Sequence, residues 1–170
     1  RKSKKQIASE AIYIEQKMIK EIVGSQDQVA TSYGGLNRIM FTKNNFKVKK
    51  VNVSKSKLDL FEKNLLLIFT GVTRQAPKVA HSYVKKIDLI DKKLNLINDC
   101  VNSFIKTLTN GNLDDLGYLL DYSWNIKKSF SKEVSNEFLD KVYNIAKNNG
   151  ALGGKLLGAG AGGFFLFYAK

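Results

Sequence analysis

Gly153-Gly154-Lys155-Leu156-Leu157-Gly158-Ala159-Gly160-Ala161-Gly162-Gly163 runs directly into Phe164-Phe165-Leu166-Phe167. Six of the first eleven residues are glycine. Glycine reaches positive φ and lets the backbone approach other groups closely, so successive N–H groups can line one concavity that suits a phosphate. The segment precedes a strand, whereas a Walker loop runs strand, loop, helix. Neither G-x-x-x-x-G-K-[ST] nor G-x-G-x-x-G before a helix fits. A flexible linker is the other reading, but linkers are not normally abutted by Leu156-Leu157 and a dense apolar strand. The stretch reads as a glycine turn feeding a buried strand, Gly163 to Ala169.

Earlier in the chain, Leu65 to Phe69 is a continuous apolar run between Lys63-Asn64 and Thr70-Gly71, which predicts a central buried strand. From Val79 to Leu108 the apolar residues Ile87, Ile90, Leu94, Ile97, Val101, Phe104 and Leu108, with Tyr83, recur at helical spacing and stop near Gly111. Further helices are expected over Leu113 to Phe130 and Ser135 to Asn148, the latter closed by Asn149-Gly150. Toward the other end, Asn37 to Thr42 and Phe46 to Val53 read as strands joined by a turn at Asn44-Asn45. Ile7, Ala11, Ile14, Met18 and Ile22 predict an amphipathic helix ending near Gly24, and a short helical stretch to Tyr33 is broken by Gly34-Gly35. Strands separated by long helices, with no repeat, predict an α+β fold with helices on one face of an antiparallel sheet. The softest boundary falls near Lys43 to Phe46.

The 170 residues, 44% hydrophobic and 11% aromatic, suffice for the core of one ordinary domain with an appended remnant. The sequence opens Arg1-Lys2-Ser3-Lys4-Lys5 and reads as beginning inside a longer parent. Its longest apolar stretch, Ala159 to Ala169, is far shorter than the roughly 20 residues that cross a bilayer. With no signal-peptide pattern either, the expectation is a cytoplasmic protein with no membrane partner. Cys100 is the single cysteine, which excludes an internal disulfide and a cysteine-cluster metal site. His81 has no second histidine to complete a transition-metal site. The formal net charge of +13 favours anionic partners, either nucleic acid or an anionic substrate. The lysines are scattered over helix faces, as solvated surface would also require.

Three constellations can carry chemistry. Glu15 is followed twelve residues later by Asp27, within Gly24-Ser25-Gln26-Asp27-Gln28. A carboxylate on a helix and another just after a glycine turn can converge on one Mg²⁺ and one hydroxyl, since hard cations prefer oxygen ligands. Equally, Ser25 and Gln28 fit an S-x-x-Q capping box, with Asp27 at the positive end of a helix dipole. The glycine turn is the second constellation. The third is Thr73-Arg74, beyond Leu66 to Thr70, where a guanidinium could grip a phosphate bidentately or simply lie on the surface. Trp124 and Lys127, one helical turn apart, read either as substrate flanks or as a core tryptophan beside a solvated lysine.

These residues resemble the GHMP kinases, the family of galactokinases, homoserine kinases and mevalonate kinases. The resemblance is carried by the step from Glu15 to Asp27, the Asp27-Gln28 pair and the terminal Gly-Gly-Lys-Leu-Leu-Gly-Ala-Gly-Ala-Gly-Gly-Phe, and spans nearly the whole chain. Ala11-Ile12-Tyr13-Ile14-Glu15-Gln16, Tyr33-Gly34-Gly35-Leu36-Asn37-Arg38 and Phe69-Thr70-Gly71-Val72-Thr73-Arg74 look like the branch acting on D-glycero-D-manno-heptose 7-phosphate. The resemblance implies a ferredoxin-like C-terminal domain over 44–170, preceded over 1–43 by the end of the nucleotide-binding domain. It implies ATP as donor, Mg²⁺ held by Glu15, and Asp27 as base or positioner of the substrate hydroxyl. It implies that Gly158, Gly160, Gly162 and Gly163 close on the transferred phosphoryl group. Ser25, Thr73 and Arg74 become substrate-binding candidates, and Lys155 joins Arg74 as a candidate for the substrate's own phosphate. Ala161 stands where the family usually has glycine. The family's Pro-x-x-x-Gly-Leu-Gly-Ser-Ser-Ala loop has no counterpart here, so this stretch by itself is expected to bind ATP poorly and to be inactive. A basic nucleic-acid-binding module is the alternative, but the strands lack the paired aromatics on which RNA-binding sheets stack bases. An inactive piece exposing an unpaired apolar face, and self-associating through it, is a third reading.

Overall fold

Ser3 starts the first helix with a reciprocal cap. Its Oγ accepts from Gln6 N at 3.2 Å while Ser3 N donates to Gln6 Oε1 at 2.8 Å, satisfying two amides that helix geometry leaves unpaired. The structure is a computed structural model and describes residues 1–43, 45–73, 79, 82 and 87–170, the side chains of 87–89 excepted. Arg74, His81 and Tyr83, singled out in the sequence, lie outside the described residues. The chain divides into two units, Arg1–Asn52 and Val53–Lys170.

In the first unit, α1 (Lys4–Tyr13) widens into a π-helical turn, Ile14–Met18, in which Ile19 N donates to Ile14 O at 2.9 Å. Lys20, at φ 61°, then turns the chain away, so the helix expected to reach Gly24 stops short. Next come α2 (Gln26–Tyr33), halted by Gly34 at φ 64°, and an antiparallel hairpin of β1 (Asn37–Thr42) and β2 (Asn45–Lys50). Its core is Ala8, Val29 and Phe46, flanked by Ile12, Tyr33, Ile39 and Val48, with the Tyr33 and Phe46 rings edge to face at 6.2 Å. The stripe expected to be buried is not: Ile14, Met18 and Ile22 are 46%, 65% and 48% exposed. The helix buries the Ala8 and Ile12 side instead. The hairpin pairs Phe41 with Phe46 and Thr42 with Asn45, and the first compact unit runs on to Asn52.

The second unit opens with α3 (Lys55–Lys63), N-capped by Ser54 and anchored by buried Phe61, an element the sequence reading did not anticipate. β3 (Leu65–Phe69), α4 (Ile87–Asn110), α5 (Asp114–Lys128), a 3₁₀ turn (Lys132–Val134), α6 (Glu137–Asn148), β4 (Ala151–Leu156) and β5 (Phe164–Ala169) come after it. The three strands form an antiparallel sheet in the order β3-β5-β4. Among the described strands β3 is therefore an edge, with Leu66 and Leu67 more than half exposed, and not the central strand its composition suggested. The centre is β5, whose Phe165, Phe167 and Tyr168 are essentially inaccessible to water. Burying a large apolar side chain contributes about 1.5–3 kcal/mol, so this strand anchors the unit. Trp124 meets Phe165 edge to face at 5.9 Å and is itself fully buried, which decides for the core reading of that residue.

Gly153 explains how α5 lies so close to β4. A Cβ there would come within 1.9 Å of Gly117 O, so only a residue without a side chain permits the approach. The close contact makes a strand of the first part of the glycine-rich stretch. Lys155 accordingly stands in β4, opposite Leu166, and not in the turn. Of the described helices, none is long and apolar enough to cross a membrane.

Candidate active site

The π-turn presents two consecutive side chains to the start of α2. A widened turn holds an extra residue and shifts the register of the residues beyond it, and such turns recur at functional sites. Half-buried Glu15 accepts at Oε2 a hydrogen bond from Gln28 Nε2. Gln16 Nε2 donates to Ser25 Oγ at 3.1 Å and to Val23 O at 3.0 Å. The Ser25–Gln28 capping box is thus not formed: Ser25 makes no side-chain cap, because each partner is committed to the preceding helix. Gln28 is buried, while Asp27 beside it in the first turn is exposed. Glu15 is in this way fixed against the residue after Asp27, close to the positive end of α2.

The donor set suits a hard cation. Glu15 keeps one carboxylate oxygen uncommitted by that bond, and Gln28 Oε1 is buried with no hydrogen-bond partner among the described residues. The described residues hold no group of three or more His, Cys, Asp or Glu side chains that could cage a metal. Mg²⁺ fits such a sparse site, because it is usually held by one or two carboxylates and completes its octahedron with water and substrate phosphates.

Within the second unit itself, the glycine turn Leu157 to Gly163 connects β4 and β5. It is strapped rather than loose. Leu157 N donates to Phe164 O at 2.9 Å, Ala161 N to Val134 O at 2.8 Å and Gly163 N to Val72 O at 2.9 Å. Gly163 O accepts from Thr70 N at 2.9 Å and from Thr70 Oγ1 at 2.8 Å, and Lys127 Nζ donates to Gly158 O. Among the described residues the amides of Gly158, Ala159 and Gly160 have no protein acceptor. Consecutive N–H groups without an acceptor, in a turn where Gly158 and Gly160 take positive φ, are the kind of donors from which anion-binding concavities are built. Ala161 takes φ 62°, so the departure from glycine is accommodated in the left-handed region.

Exposed Thr73 comes directly after Val72, which holds Gly163, so the end of the β3 segment and the glycine turn are brought together within this unit. Lys155 is half-buried, and burial pushes its ammonium below the ordinary lysine range. Sequence reasoning named Gln28 as a capping residue and Gln16 and Thr70 within motif stretches, without the contacts they make here, and did not single out Val134. Val134 acts through its backbone carbonyl, which carries no spacing signal.

Residues 104–170 match the family described as "GHMP kinases C terminal". The chain is thus similar to the GHMP kinases, and residues 104–170 carry that family's C-terminal region. It is 34% identical to the D-glycero-alpha-D-manno-heptose 7-phosphate kinase of Campylobacter jejuni over 96% of this chain and 49% of that protein. A solved putative sugar kinase from Campylobacter jejuni is 30% identical, with TM-score 0.65, covering 99% of this chain and 48% of its own. The fold is shared more widely: L. major mevalonate kinase, solved with R-mevalonate, superposes with TM-score 0.73 at 20% identity, over 99% of this chain and 50% of its own. The chain thus spans about half the length of these relatives.

Proposed function

We propose that this chain is the C-terminal half of an ATP- and Mg²⁺-dependent kinase that transfers the γ-phosphoryl group to a hydroxyl of a sugar phosphate, D-glycero-D-manno-heptose 7-phosphate. The observation that carries the reading is the Gln28 bridge, which fixes Glu15 at the first turn of α2 beside exposed Asp27. Phosphoryl transfer through a loose transition state asks a protein for positioning and charge neutralisation more than for covalent help. Asp27 accepts or orients the proton of the attacking hydroxyl, and Ser25 steadies the sugar. Glu15 offers its carboxylate oxygen to Mg²⁺, which neutralises charge on the nucleotide phosphates. The free amides from Gly158 to Gly160, with Gly162 and Gly163 shaping the turn, offer hydrogen-bond donors to phosphoryl oxygens. Exposed Thr73, which follows the Val72 that holds Gly163, is the proposed substrate contact in this unit, and Lys155 stands in β4.

In this reading residues 1 to about 43, carried on to Asn52 by the hairpin, complete the family's nucleotide-binding domain, and the remainder is the C-terminal domain. The 170 residues contain no Pro-x-x-x-Gly-Leu-Gly-Ser-Ser-Ala sequence. By themselves they bind ATP poorly, do not turn over, and self-associate through exposed Ile14, Met18 and Ile22. The enzyme works in the cytoplasm, where ATP is available. The test is Asp27→Asn in the full-length parent, monitored by coupled ADP release. Loss of a positioned base costs about 10²–10⁴-fold in kcat. Because Asp27 is exposed, the far-UV circular dichroism and thermal midpoint stay those of the wild type. Wild-type turnover in this variant sinks the assignment.

A further inference from the structure

A cavity of about 430 Å³ opens within the first unit, between α1 with its π-turn and the tip of the β1–β2 hairpin. That is within the range of small-molecule sites. Its polar inventory is lopsided. Exposed Lys17 and Lys43 line it, and among the described residues neither has a charged or hydrogen-bonded partner. No carboxylate lines it among the described residues.

The neutral groups are mixed: Gln16 spends its Nε2 on Val23 O and Ser25 Oγ and keeps Oε1, and Thr42 spends its proton on Asn45 O, while two others are left as donors. Ser25 Oγ accepts from Gln16, which leaves the serine proton to donate into the cavity. Asn45 Oδ1 is taken by Phe46 N at 2.8 Å, so what Asn45 has left is its NH₂. Two unpaired ammonium groups, a serine hydroxyl and an amide NH₂, with no carboxylate among the described lining residues, match a phosphate monoester, which only accepts when fully ionised. Ile12, Phe41 and Phe46 add an apolar wall for a carbon skeleton.

We infer that this cavity, with Lys17 and Lys43 at its mouth, seats the non-reacting phosphate of a phosphorylated sugar. The inference rests on the kinase reading for its orientation, since Ser25 lies two residues before Asp27 and Gln16 is next to Glu15. A sugar held here by its phosphate extends its far hydroxyl toward the carboxylate pair. Lys155 is the poorer seat, because its ammonium is already desolvated in β4.

The test is a titration of the ¹⁵N-labelled 170-residue chain at fixed ionic strength with glucose 6-phosphate, glucose, inorganic phosphate and ATP. Glucose 6-phosphate is expected to shift the amides of Lys17, Ser25, Lys43 and Asn45 and to bind more tightly than inorganic phosphate, with glucose silent. The Lys17→Gln/Lys43→Gln double variant weakens that binding at least tenfold. Lys47→Gln/Lys49→Gln, which removes equal charge from exposed β2 positions outside the cavity, changes it less than twofold. Equal weakening by both pairs, shifts confined to Gly158–Gly163, or tighter binding of ATP at these residues overturns the site. The kinase reading fails separately: an active Asp27→Asn enzyme removes it while leaving the titration intact.

Discussion

Replacing Gly160 by alanine separates a strapped phosphate turn from a flexible linker. Gly160 sits at φ 123°, and a Cβ built on it would lie 2.8 Å from Val134 O and 2.9 Å from Val134 Cα. Val134 O cannot retreat freely, because it accepts the Ala161 amide at 2.8 Å. The unfavourable backbone region costs about 1–3 kcal/mol, and loosening that hydrogen bond costs about 1 kcal/mol more. Alanine's smaller unfolded-state entropy returns about 0.4–1 kcal/mol. The expected net loss is about 1–3.6 kcal/mol by the same terms. The neighbouring substitution runs the other way. Ala161 at φ 62° carries left-handed strain of about 1–2 kcal/mol, so Ala161→Gly is expected to gain about 0.5–1 kcal/mol after the glycine's entropy is subtracted.

Urea denaturation reads both changes through Trp124, the single tryptophan, which is buried in the same unit as the turn. The slopes should match the wild type, so that midpoint shifts report stability. If Gly160→Ala stays within about 0.5 kcal/mol of the wild type, or Ala161→Gly destabilises, the turn is not strapped in this way.

The same geometry sets expectations for three other perturbations. Because folding lowers the Lys155 pKa below 10.5, the unfolded chain binds more protons between the folded value and 10.5, and stability rises as pH climbs through that interval. Lys155→Met should therefore stabilise the neutral-pH chain by about 1 kcal/mol and flatten the alkaline rise, and an unchanged pH profile refutes the burial argument. Glu15→Gln keeps an acceptor for Gln28 but removes the charge, so in the full-length parent the Mg²⁺ needed for half-maximal rate should rise at least tenfold; an unaltered Mg²⁺ titration excludes Glu15 as ligand. Sedimentation velocity of the 170-residue chain should show concentration-dependent association that Ile14→Ser/Met18→Ser/Ile22→Ser suppresses, and a monomer at all concentrations rules that surface out.

Much of the architecture was legible because periodicity reports secondary structure directly. Asn37–Thr42 and Leu65–Phe69 fall where the sequence put them, and α5 and α6 lie inside their expected limits. Periodicity does not report what covers a face. The Ile14–Met18–Ile22 stripe and the Leu66–Leu67 pair look like core and are exposed, since apolar composition is the same whether or not a partner lies on it. α3 escaped because its nine residues carry few apolar anchors among lysines. At the candidate site the spacing of Glu15 and Asp27 was visible. The π-turn that lets Glu15 and Gln16 both reach α2 was not, because no residue type marks a widened turn.

The glycine-rich stretch shows how one composition serves two opposed purposes. In Gly153 and Gly154 the missing side chain is used for closeness: α5 lies against the first, and a Cβ on the second would strike the Phe167 ring at 2.4 Å. From Gly158 onward it is used for conformation, with Gly158, Gly160 and Gly163 at φ 71°, 123° and 97°. A chain this rich in glycine loses much conformational entropy on ordering, so a turn made of it stays ordered only if other contacts offset that cost. Val72, Val134, Thr70 and Lys127 supply them through their hydrogen bonds to Gly158, Ala161 and Gly163. What they leave unbonded are the amides of Gly158, Ala159 and Gly160. On the proposed function, an anion at this turn would meet donors whose ordering cost was met during folding, and such preorganisation would separate a binding turn from a linker of the same composition.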